Sequence, residues 1–128
     1  MKKMHLVILM TGILSLISFG CKKVSNGPND VRIQNISDYN YTDLFVDTSH
    51  GQHDYGSLAS GATSEYKWFK YAYNEAYVQC KIDGVLCKTD TVNFTALVPL
   101  PAGYVTYTVD ADTAARKLIL DVAELNPY

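Results

Sequence analysis

Positive charge, cysteine and histidine are all scarce in this 128-residue chain, and each shortage closes a line of reading. Lys and Arg number 11 against 13 Asp and Glu, and beyond residue 20 the only basic pair of note is Lys22-Lys23. Nucleic-acid binding needs clustered cations to displace counterions from phosphates, so that class is set aside. The three histidines stand at 5, 50 and 53, too few and too close to specify a Ser/His/Asp triad. Asp110 and Asp112 flank a turn signal and read as solvated rather than as an acid/base pair. A phosphate-cradling glycine loop is absent, as are internal repeats and, beyond residue 20, helix-period segments. No catalytic constellation and no cofactor is implied, and the expectation is a non-enzyme.

What the chain does have begins at its N-terminus. Lys2-Lys3 precedes an apolar run from Met4 to Phe19, too short for a membrane span and ending in small residues. This is the architecture of a cleaved signal peptide over residues 1–20. Ser18-Phe19-Gly20-Cys21 resembles the bacterial lipobox, with Gly20 and Cys21 in its pattern and Ser18 where a Leu is usual. The resemblance implies diacylglycerol on Cys21 and, with further acyl chains, a stable membrane anchor. The same residues satisfy the small-x-small rule of ordinary secretory cleavage, which leaves Cys21 as a free thiol. Residues 21–30, polar and carrying Gly27-Pro28, read as a tether, and residues 31–128 as one domain. Loss of Lys2 and Lys3 leaves 9 cations against 13 anions, a mildly acidic mature protein.

That domain reads as strands. All 10 Tyr follow position 38 and mix with Thr and Val, residues that fit a pleated, half-buried surface. Period-two alternation marks 31–36, 41–48, 63–70, 73–82, 85–90, 104–111 and 116–122, with 55–58 as a short edge strand. Asp83-Gly84 is a tight hairpin turn, and Asp112-Thr-Ala-Ala115 joins a second hairpin. Seven or eight short strands without crossover helices predict an all-β, antiparallel β-sandwich of immunoglobulin-like or transthyretin-like type, with no parallel pairing.

Closing the hairpin at Asp83-Gly84 pairs Ile82 with Val85, Lys81 with Leu86 and Cys80 with Cys87. Opposed residues lie within disulfide reach, and export favours oxidation, so a Cys80 to Cys87 bridge is expected. Two buried free thiols acting as small hydrophobes are the alternative.

Two clusters are chemically suggestive. His50 and His53, with Asp47 and Asp54, gather metal-capable groups in one loop, but the spacing fixes no ligand geometry and no metal is assigned. Tyr66, Trp68, Phe69, Tyr71, Tyr73 and Tyr77 put six aromatics within twelve positions. Alternation turns neighbours to opposite faces, so Tyr66, Trp68, Tyr71, Tyr73 and Tyr77 are candidate ligand-binding aromatics, with core packing as the competing role.

Taken together, lipobox, polar tether and Tyr-rich β domain resemble small lipoproteins of anaerobic and gliding Gram-negative bacteria. Val31-Arg-Ile-Gln-Asn35 and Tyr55-Gly-Ser-Leu-Ala-Ser-Gly-Ala-Thr-Ser-Glu-Tyr66 are similar to one repeat of a domain of unknown function in cell-envelope proteins. The resemblance supports the fold and gives no activity; by analogy of fold, the expectation is an exported binding or interaction module, lipid-anchored in the outer membrane, whose partner is a glycan or an envelope protein. A structural envelope component, or an accessory or inhibitor subunit of an exported enzyme, is the alternative.

Overall fold

A computed structural model describes residues 25–128. The expected signal peptide and Cys21 lie outside the described residues. Eight strands follow one another: β1 (Asn29–Asn35), β2 (Tyr41–Asp47), β3 (Gln52–Leu58), β4 (Lys67–Phe69), β5 (Tyr77–Ile82), β6 (Val85–Lys88), β7 (Gly103–Asp112) and β8 (Lys117–Asn126). One turn of 3-10 helix, Phe94–Ala96, lies in the connection from β6 to β7. No described helix is long and apolar enough to cross a membrane.

Alternation in the sequence becomes alternation of burial. In β1, Val31 and Ile33 are fully buried while Asp30, Arg32 and Gln34 stay partly exposed. The β5–β6 hairpin turns where Asp83 and Gly84 both take positive φ, +50° and +78°, and its register pairs Cys80 with Cys87. That register is the one the turn residues imply.

The strands form one mixed sheet in the order β3-β2-β5-β6-β8-β7-β1-β4, nearly closed into a barrel. The expected all-antiparallel sandwich is thus corrected. β1 runs parallel to β7 over seven residue pairs, from Asn29 with Gly103 to Asn35 with Val109, and β6 meets β8 in parallel at Lys88 and Lys117. A helical crossover is needed only between parallel strands that follow closely in sequence. Here β2 to β6 intervene between β1 and β7 and supply the return path.

Two seams interrupt the closure. At β6 and β8 a single residue pair joins the halves β3-β2-β5-β6 and β8-β7-β1-β4. At the sheet's edges, His53 Nε2 on β3 meets the Trp68 carbonyl at 2.6 Å, and the Lys70 amide donates to the His50 carbonyl at 3.3 Å. A carbonyl only accepts, so the His53 proton sits on Nε2.

Both halves contribute to one core: Val31 and Ile33, Tyr41, Leu44 and Val46, Val78, Cys80 and Ile82, and Val105, Tyr107 and Val109. Burying each aliphatic chain contributes about 1.5–3 kcal/mol. The core tyrosines satisfy their hydroxyls: Tyr41 donates to the Val109 carbonyl at 2.8 Å, Tyr55 to Val31 at 2.7 Å, and Tyr107 to Tyr73. Among the described residues no buried side-chain polar atom lacks a partner.

The domain reaches back further than its expected start at residue 31. Asn26 bridges Pro101, the Gly27 amide donates to the Leu100 carbonyl at 3.1 Å, and Asn29 is fully buried. Asn29 fixes this junction, donating to the Pro101 carbonyl at 2.8 Å and accepting from the Ala72 amide at 3.1 Å. The stretch 26–30 is therefore packed structure rather than tether; polarity misled because the polar side chain is buried with its partners.

Candidate functional site

The outer face of the half-sheet β4-β1-β7-β8 assembles the site from four separate segments. Register aligns Trp68 with Asp30 and Asp30 with Tyr104, while Tyr104 stands opposite Asn126. Two residues along, Arg32 lies beside Thr106, which pairs with Glu124. Their neighbours Val31 and Val105 point into the core, so period two sends these side chains outward.

Tyr66, just ahead of β4, tilts against Tyr104 with ring centroids 5.0 Å apart, and Tyr104 meets Tyr128 edge-on at 5.1 Å. The Arg32 guanidinium lies 4.8 Å over the Tyr66 ring, donates to Thr106 Oγ1 at 2.9 Å, and stands 3.6 Å from Glu124. The Tyr128 hydroxyl donates to Asp30 Oδ2 at 3.0 Å, and partial desolvation together with that carboxylate pushes the phenol up to about 12. These rings remain accessible: Tyr66 is 37% exposed, Tyr104 39%, Trp68 56% and Tyr128 59%. A shallow recess bordered by Pro101, Ala102, Leu125 and Pro127 adjoins Tyr104.

Such a surface offers flat apolar ring faces interleaved with a guanidinium, carboxylates and a carboxamide. Ring faces pack against C–H groups of a ligand, while planar charged groups bind its hydroxyls in pairs.

Only two of the five predicted aromatics, Tyr66 and Trp68, lie on this face. Tyr71 packs its ring edge-to-face on His50 at 5.2 Å. Tyr73 is 4% exposed, with its hydroxyl 3.1 Å from His50 Nδ1, so it is a core residue and cannot stack on a ligand. Tyr77 lies on β5 in the other half of the sheet and donates to Gln79 Oε1 at 2.9 Å.

The histidines diverge. His50 is held by Tyr71 and Tyr73, whereas His53 packs on Phe69 at 4.8 Å and binds the Trp68 carbonyl. His53 fastens β3 to β4, and His50 fastens the loop before β3 to the stretch after β4. Among the described residues no group of three His, Cys, Asp or Glu is placed to hold a metal.

The expected disulfide is not formed: Cys80 and Cys87 are free thiols, both buried. Desolvation is the dominant cause that pushes Cys80 up to about 12 and raises Cys87. They act as small apolar side chains among Val78, Ile82 and Leu118, the alternative the sequence left open.

Asp30, Arg32, Tyr104 and Tyr128 escaped sequence reasoning. The alternation over 104–111 marks Tyr104 as outward-facing or inward-facing, but only the β1–β7 register brings it beside Asp30, across 74 positions in sequence.

No family model and no curated protein matches this chain. Among solved structures, it is similar in fold to the NMR structure of a protein from Eubacterium rectale, with 11% sequence identity and a TM-score of 0.54. The match covers 77% of this chain and 91% of that one, so the likeness extends over most of a small all-β domain and concerns the fold alone.

Proposed function

We propose that the protein is an exported, lipid-anchored binding module of the cell envelope, without catalytic activity, that takes a glycan on the Tyr66/Tyr104/Tyr128 face. The observation that carries this reading is the cluster of three contacting tyrosine rings, flanked by Arg32 and Asp30. Three accessible rings pre-arranged by contact with each other cost little entropy on binding, and pyranose C–H faces suit them. Guanidinium and carboxylate groups between the rings supply the paired hydrogen bonds that sugar hydroxyls need.

The test is an isothermal titration against fragments of envelope polysaccharide, with Tyr104→Ala and Tyr66→Ala beside the parent. Removing one stacking ring should weaken binding about tenfold, equivalent to about 1.4 kcal/mol. Unchanged affinity in both variants sinks the assignment. Anchoring is tested separately by intact mass of membrane-purified protein beside Cys21→Ala, the expected result being acylation that the variant loses.

A second reading, a structural component that assembles through strand edges, is favoured by one feature. β8 pairs with β7 along its whole length but meets β6 only at Lys117, leaving most of its other edge open.

A further inference from the structure

The chain joins the domain at one end of the half-sheet, and what surrounds that junction has a composition the core does not explain. Ser25 is exposed, Asn26 is fixed against Pro101, and Gly27 against Leu100. A shallow cleft there is lined by Asn26, Gly27, Pro28, Trp68, Lys70 and Tyr71. The chain's single Trp is 56% exposed at its rim. Lys70 is exposed and holds its ammonium 5.7 Å over the Tyr71 ring.

We propose that this end of the domain rests on the bilayer carrying the anchor, with Trp68, Tyr71 and Lys70 seated in the phospholipid headgroup layer. The inference rests on the reading that Cys21 is lipidated. Three residues separate Cys21 from Ser25, and the four residue steps between them span at most about 14 Å even when fully extended. An anchored domain is therefore held with this end against the membrane surface. Trp and Tyr prefer the interfacial layer, where the ring is half-wet and the polar tip stays hydrated. Lys70, together with Lys22 and Lys23 in the intervening stretch, is attracted by anionic headgroups, and lysine stems lie along apolar surface while their ammonium groups remain in water. Tyr104 shares the cross-strand row of Trp68 but stands two strands away, across Asp30, and Tyr66 and Arg32 lie further from the junction, so the tyrosine cluster stays open for a saccharide.

Trp68 is its own reporter. The full chain, purified with its anchor, is reconstituted into phosphatidylcholine/phosphatidylglycerol vesicles with and without spin-labelled quencher lipid. The expected result is a blue-shifted emission that loses roughly half its intensity to quencher, the behaviour of an interfacial indole. In Trp68→Phe/Ile119→Trp, the indole moves to the far end of β8, where Ile119 is 53% exposed, and quenching should vanish. Lys70→Glu should reduce quenching at Trp68. Unquenched Trp68 in protein that co-floats with vesicles, or equal quenching at position 119, overturns the proposal. Protein that does not co-float refutes the natural anchor instead. Coupling Cys21 to a maleimide lipid then restores the tether, and the same quenching comparison decides the orientation.

Discussion

Single residues carry much of the stability, and burial of neutral hydrogen-bonding groups makes it sensitive to base. Burial pushes Tyr41 from its ordinary 10.0 up to about 12, and pushes Tyr55 and Tyr107 further in the same direction. Each phenol is protonated when folded and ionises at its ordinary value when unfolded. Below pH 10 both states hold the proton and the full stability is present. Above it the unfolded chain holds fewer protons than the native one, so stability falls as pH rises. The fall at Tyr41 continues to about pH 12. A two-unit shift is worth about 3 kcal/mol, a large part of a small domain's margin. Circular dichroism should show cooperative unfolding between pH 10 and 12, and a native spectrum held through pH 12 would contradict this account of the core. Asn29→Ala leaves the Ala72 amide and the Pro101 carbonyl without their buried partner and should cost about 2–4 kcal/mol in urea unfolding. At Cys80 burial suppresses the thiolate, so native protein should resist iodoacetamide at pH 8 while urea-unfolded protein alkylates at both Cys80 and Cys87.

At the scale of elements, the strands themselves were legible. The hairpin at Asp83-Gly84, its register and the β7–β8 hairpin follow from turn chemistry and period two, which are local properties. The order of strands in the sheet was not legible, because β1–β7 pairing is a tertiary choice between segments 74 positions apart. That pairing also builds the candidate site, which explains why Tyr66 and Trp68, close in sequence, were found while Asp30 and Tyr104 were not. Tyr73 failed for a related reason: its stretch is irregular from 70 to 76, so alternation could not assign it to a face. Gly103 opens β7 at φ +144°, where a Cβ would collide with the Asn126 carbonyl of β8. Gly103→Ala should lower stability by about 2 kcal/mol or more, read from the urea midpoint at constant slope. If the open β8 edge assembles the protein, sedimentation should show concentration-dependent oligomers that Ala123→Lys removes, since a lysine on an exposed edge strand opposes further pairing.

For the whole molecule, a nearly closed eight-strand sheet leaves one half-face whose rings the core does not use. The core buries Tyr41, Tyr73 and Tyr107 and satisfies their hydroxyls, whereas Tyr66, Tyr104 and Tyr128 remain accessible and touch one another. Aromatic area left in water in this ordered way is the physical basis for reading the face as a binding surface. The most direct measurement is an NMR titration of the domain with envelope polysaccharide fragments, following backbone amides, the Trp68 indole and tyrosine ring protons. The account predicts saturable shifts confined to Asp30, Arg32, Tyr66, Tyr104 and Tyr128. Shifts centred instead on the turns at the opposite end, around Asp83 and Thr113, would contradict it.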